Sequence, residues 1–160
     1  MSDQQSAAFS SQRLWGTIGG IVLFLAVAIG AFGAHVVSER VLPAVHAEQS
    51  PQSVAGFAMP ASYKAYLNYQ TAVLYQMVHG VGLILVGLLG RRGKARRLAY
   101  AAGVSFLSGI FLFCGPLYAM ATTGIGGIHL IVPLGGICFL VGWMLFVTAA
   151  AMPRTRGQRS

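Results

Sequence analysis

Five of the eleven Lys and Arg residues crowd into one short segment, Arg91-Arg92-Gly93-Lys94-Ala95-Arg96-Arg97, with no acid nearby and a long apolar run on either side. Such a cluster resists crossing a bilayer, so it marks the cytoplasmic side and divides the chain into two helical hairpins. Charged residues make up 9% of the sequence and hydrophobic ones 56%, where soluble domains carry about 25% charge. The net charge of +8 lies between and beside apolar runs rather than on a polar domain of its own. Nucleic acid is therefore not an expected partner. Anionic lipid headgroups are, with Arg91, Arg92, Lys94, Arg96 and Arg97 each contributing about 1 kcal/mol near the surface.

Residues 1–13 read as a polar cytoplasmic tail ending at Arg13. The run Leu14 to Val37 is broken only by Thr17 and His35, and as a helix it is long enough to cross about 30 Å of hydrocarbon. Further spans are predicted at about 66–89, 98–121 and 128–152, with an outer connection at 38–65 and a basic cytoplasmic tail at 153–160. Trp15, Tyr100, Tyr118 and the group Tyr63, Tyr66, Tyr69 fall where interfacial aromatic belts are expected. Val45-His46-Ala47 resembles a signal-peptide cleavage site, but the preceding run is too long and Glu39-Arg40 separates the two. The first span is therefore read as retained. Ser50-Pro51 is placed to open a short helix in an otherwise irregular connection.

Every Lys and Arg except Arg40 and Lys64 then falls on one side, with Asp3 as its only acid, while Glu39 and Glu48 lie opposite. The expectation is an all-α, four-transmembrane-helix bundle with both termini inside, a multi-pass protein of the bacterial inner (plasma) membrane.

Helices in lipid associate by close approach of small residues. Ala26, Gly30 and Ala34 form a stripe at four-residue spacing in the first span, beside Gly33; Gly16 and Gly20 make another. Ser105 and Gly109 repeat the pattern in the third span, and Gly135 with Gly136 offers it in the fourth. This surface serves packing within one chain or against a membrane-protein partner or second copy. Pro116 and Pro133 are expected to kink the third and fourth helices, freeing the carbonyls of Leu112 and His129.

The second span carries a polar anomaly. At about 100° per residue, Asn68, Tyr75, His79 and Gly82 fall on one stripe with Gln76 beside it. Ionisable groups at this depth face the bundle or a wet cavity. The reading is a pocket between the first, second and fourth spans, opening outward, with His35, Asn68, Tyr75, Gln76, His79 and Tyr118 as candidate lining. The bland alternative is a neutral His79 acting as interhelical glue. Cys114 and Cys138 lie in apolar runs without a Cys-x-x-Cys pair, so no metal site or cofactor is expected.

Gly30-Ala31-Phe32-Gly33-Ala34-His35, Tyr75-Gln76-Met77-Val78-His79, Gly115 to Tyr118, and Pro133-Leu134-Gly135-Gly136 through Gly142-Trp143 together resemble the signatures of the YgdD-like small membrane proteins. This is the domain-of-unknown-function 423 family, which includes eukaryotic transmembrane protein 256. The resemblance runs from Gly30 to Trp143, with four motifs in order, and implies a four-helix membrane protein of unassigned biochemical role. His35 and His79 fall on its motifs and His129 does not. The connection 38–65 is longer than the family's usual one.

Three functions remain open. The first is a non-enzymatic accessory, scaffold or lipid-binding protein, supported by the glycine surface, the basic loop and the lack of a nucleophile coupled to a base. The second is a small permease or channel-like protein with a polar outer pocket, in which only histidine could carry a proton because no span contains Asp or Glu. The third is haem binding. His79 lies about 15 Å deeper than His35 at helical rise, which leaves His35 with His129 as the axial pair.

Overall fold

The computed structural model describes residues 3–89 and 93–153, with side chains from residue 13 onward. Arg91, Arg92 and the tail arginines Arg154, Arg156 and Arg159 lie outside the described residues.

Four helical stretches are long and apolar enough to cross a membrane: Arg13–Val45, Ala61–Leu88, Gly93–Thr123 and Ile128–Ala151. The first contains α1 (Asp3–Phe32), a π-helical segment Gly33–Val41, and α2 (Leu42–Val45). A hairpin of β1 (Gln52–Val54) and β2 (Phe57–Met59) leads into α3 (Ala61–Leu88). The third span is α4 (Gly93–Gly109), a π segment Ile110–Cys114, and α5 (Gly115–Thr123). A 3-10 turn, Ile128–Leu130, precedes α6 (Val132–Ala151).

The first span outruns the apolar stretch that announced it. Helical winding continues through Ser38, Glu39 and Arg40, because Val37 and Leu42 pack into a core with Ala65, Tyr69, Val73 and Ala121. The short helix expected at Pro51 is corrected: Pro51 leads into β1, and the short helix is Leu42–Val45, with Pro43 in its first turn. Both π segments end just ahead of a proline, Pro43 in one case and Pro116 in the other. A proline ring clashes with the carbonyl four residues back, and winding the preceding turn wide relieves that clash. Pro116 thus sits at the expected distortion. Pro133 does not kink a continuous helix; it stands in the first turn of α6, where no N–H is needed.

The helices pair as two hairpins, α1 against α3 and α4 against α6, joined through α3 against α4, α5 and the intervening π segment. The second span is the central one. Half of its most apolar stretch is buried, and the first and fourth spans turn most of their surface outward. Phe24, Phe111, Leu140 and Met144 are among the exposed apolar side chains, which suits a hydrocarbon solvent and no other.

Close approach sets the contacts. A Cβ on Gly19 would stand 2.7 Å from the Ile84 amide nitrogen, and one on Gly135 would stand 2.5 Å from that of Phe113. Gly33 faces the Tyr69 ring, and Gly30 meets Val73 at 3.1 Å. Ala26 is wholly buried, but Ala34 is exposed. A Cβ on Gly16, Gly20 or Gly136 would meet nothing within 4 Å, so those three are not packing positions within the chain. The expected aromatic belt is also corrected in part. Trp15 is buried with its ring over Gly103, and Tyr69 is buried with its hydroxyl donating to the Ile29 carbonyl at 2.8 Å.

Candidate functional site

Two neighbouring residues of the second span hold the centre of the bundle. Gln76 donates from Nε2 to the Val22 carbonyl at 3.1 Å and accepts the Tyr118 hydroxyl at Oε1, 3.0 Å away. One amide thereby ties the second span to the first and third. One turn further on, His79 Nδ1 lies 2.7 Å from the Tyr75 carbonyl, and the Trp143 indole Nε1 lies 3.2 Å from His79 Nε2. A carbonyl only accepts and an indole N–H only donates. His79 is therefore a neutral imidazole with its proton on Nδ1, linking the second span to the fourth. Phe139 stacks on it at a centroid distance of 3.5 Å.

This arrangement leaves neither His79 nitrogen free for a metal or haem. Among the described residues there is no cluster of three His, Cys, Asp or Glu side chains that could hold a metal ion.

The expected single pocket separates into three places. His35 stands exposed on the first π segment and lines neither of the two cavities described here. Gln76 is turned into the packed core with Tyr118. His79 and Tyr75 border a groove of about 600 Å³ with Val78, Phe113, Gly136 and Trp143. The groove lies between the second, third and fourth spans rather than the first, second and fourth, because α1 packs on the far side of α3. Tyr75 is partly exposed there, stacked on Phe113 at 4.5 Å.

Asn68 belongs to a second, more polar cavity of about 220 Å³ at the hairpin end, shared with His46, Gln49, Gln52 and Lys64. His46 is buried; its Nε2 donates to the Ala121 carbonyl at 2.8 Å, and its Nδ1 lies 2.9 Å from Gln49 Oε1. It caps a carbonyl left open at the end of α5, where Gly124 turns the chain with a φ of 71°.

Sequence reasoning did not single out Trp143 or His46 as partners. A tryptophan in mid-span needs an acceptor for its N–H, a signal that marks Trp143 as requiring a partner without saying which; the structure supplies His79. No comparable signal marked His46, whose partner carbonyl is 75 residues away.

A family described as "Protein of unknown function (DUF423)" matches residues 29–136. The chain belongs to the DUF423 family. Its relatives include the UPF0382 membrane protein YwdK of Bacillus subtilis, 32% identical over 83% of this chain and 92% of the relative. A UPF0382 membrane protein of Staphylococcus epidermidis is 31% identical over 82% of this chain and 90% of its own length. One from Haemophilus influenzae is 36% identical over 76% and 80% respectively. No solved structure matches the chain. This DUF423 chain is a multi-pass membrane protein of the bacterial plasma membrane, and its family carries no assigned biochemical role. The Gln76 and His79 contacts account for the motif Tyr75 to His79 as a joint between helices, where the sequence alone left glue and pocket side by side.

Proposed function

We propose that the protein is a non-enzymatic lipid-binding membrane protein that seats an acyl chain in the groove between its second and fourth spans. The carrying observation is the groove itself: about 600 Å³, lined by side chains such as Leu74, Val78, Ile137 and Leu140, all four of them exposed apolar residues of the bundle. From Pro133 to Trp143 it descends about 15 Å along α6, half of a hydrocarbon core of about 30 Å. One leaflet's acyl chain has that reach. At its floor, His79 and Trp143 spend their hydrogen bonds on protein partners, so the site offers shape and apolar contact rather than chemistry. The permease alternative needs a polar path, whereas Gln76 is bonded to Tyr118 and the Val22 carbonyl, and His79 to Trp143 and the Tyr75 carbonyl.

Gly136 lines the groove, and a Cβ there meets nothing. Gly136→Leu therefore fills the groove without disturbing the helix contact. With a phospholipid carrying a photoreactive group on its acyl chain, wild-type labelling is expected at Val78 and Leu140, and Gly136→Leu should lose most of it. Labelling at Phe24, on the exposed face of α1, serves as the measure of bulk lipid. Groove labelling no stronger than at Phe24, or unchanged by Gly136→Leu, sinks the proposal.

We further propose that both termini and the basic loop face the cytoplasm and that the β1–β2 hairpin faces outward. The distribution of Lys and Arg supports this. Ser50→Cys and Lys94→Cys, each in a background without Cys114 and Cys138, should react with an impermeant thiol reagent from outside and inside respectively, both positions being exposed. Labelling at Ser50 from the inside alone reverses the assignment.

A further inference from the structure

The cavity at the hairpin end shares no lining residue with the groove, so what it binds is a separate question. Its volume of about 220 Å³ is below the roughly 300–1,000 Å³ of sites for drug-sized ligands. A small polar group is what it can enclose. Lys64 is the one Lys, Arg, Asp or Glu among its lining residues, and Gln49, Gln52 and Asn68 add side-chain amides. That of Gln52 has one N–H on the Ser50 carbonyl at 3.5 Å and one to spare. Among the described residues, neither the Lys64 ammonium nor the Asn68 amide has a hydrogen-bond or ion-pair partner. Glu39 and Glu48, the acids outside the amino-terminal tail, do not line it.

An uncompensated cation excludes metal cations and favours an anion. Ala61, the first residue of the long helix α3, also lines the cavity, so the positive end of that helix dipole adds to Lys64. The Met120 and Ala121 carbonyls at the opposing end of α5 are taken by the Gly124 N–H and His46. Donors on the hairpin, on the chain before it and on α3 suit an anion with several separated oxygens. A phosphate group presents three strong acceptor oxygens.

We infer that this cavity is a phosphate-binding site, with Lys64 as its cation and the Asn68 and Gln52 amides as donors. The phosphate is carried either by a lipid headgroup or by a free solute, and both offer the same oxygens to the site.

The test is protection of Lys64 from an amine-acylating reagent, read by site-resolved mass spectrometry on the full chain, with Lys94 as internal reference in detergent and Lys64 of the Asn68→Leu variant as reference in nanodiscs. In uncharged detergent, inorganic phosphate is added against chloride at matched ionic strength. In nanodiscs, phosphatidylglycerol is compared with an uncharged glycolipid that lacks phosphate. Only the empty fraction reacts, so at phosphate about ten times its dissociation constant, Lys64 should acylate about tenfold more slowly, with Lys94 unaffected in the uncharged detergent. Protection in detergent supports the site and assigns it to free phosphate. Protection in phosphatidylglycerol without protection in detergent supports it and assigns it to the headgroup. No protection in either setting, or equal protection by chloride, overturns it.

Asn68→Leu keeps Lys64 and should remove most of the protection. Should that variant fail to fold, Gln52→Ala on the exposed hairpin should weaken protection instead. Full protection in the folded variant overturns the inference. Gly136→Leu should leave Lys64 protection unchanged, so failure of the groove and failure of this site are told apart.

Discussion

Gly135→Ala is expected to loosen the α4–α6 hairpin by about 2–3 kcal/mol, the upper part of the range for overpacking a filled interior. A Cβ at this position stands 2.5 Å from the Phe113 amide nitrogen and 2.7 Å from the Leu112 carbonyl carbon. Those are backbone atoms in the π segment, and backbone cannot swing aside as a side-chain end can. The fourth span must therefore back away, which also withdraws Trp143 from His79. Gly19→Ala should behave alike, since its Cβ meets the Ile84 amide nitrogen at 2.7 Å and the Gly80 carbonyl at 2.8 Å. Gly136→Ala, one residue along, and Gly16→Ala and Gly20→Ala, on either side of Gly19, have open space and should be neutral or slightly stabilising. Reversible unfolding in mixed detergent micelles measures this, with Trp fluorescence as probe. Equal losses at Gly135 and Gly136 would show that helix propensity, not contact, governs the result.

The same contrast explains what the sequence could and could not reveal. Four spans were legible because a membrane demands length and apolarity from every crossing, and both are local properties. The ends of the first span were not. Winding beyond Val37 depends on Leu42 reaching Ala65, Tyr69 and Ala121, contacts that cross tens of residues. Small-residue spacing finds a face that could pack, but it carries no information about which face has a neighbour. Gly16 and Gly20 satisfy the spacing and face open space, whereas Gly19 between them carries the contact. The polar stripe failed for a related reason. Asn68 and Tyr75 share a helix face with His79, but what stands opposite changes along it, from the hairpin-end cavity to the groove to Trp143. Gln76, placed beside the stripe, is as fully bonded as His79 on it, with partners on the first and third spans rather than the fourth.

Gln76→Leu is expected to be the costliest polar-to-apolar change in the second span, about 2 kcal/mol, because it strands the Tyr118 hydroxyl and removes the donor to Val22 at once. Tyr118→Phe should cost less, on the order of 0.6 kcal/mol, the average for an interhelical hydrogen bond in a membrane protein. It leaves only one unfilled acceptor on Gln76, whose donor bond to Val22 survives. The double variant should then lose little more than Gln76→Leu alone, since the hydroxyl that Leu would strand is already gone. That non-additivity is the signature of a direct bond in a dry interior. Unfolding free energies of the four forms in the same micelle give the coupling. Strictly additive losses would mean that water satisfies each group separately, placing a wet path between the first, second and third spans. Such a path is what a permease requires and what a lipid-binding bundle lacks, so this cycle weighs the two readings without any knowledge of the ligand.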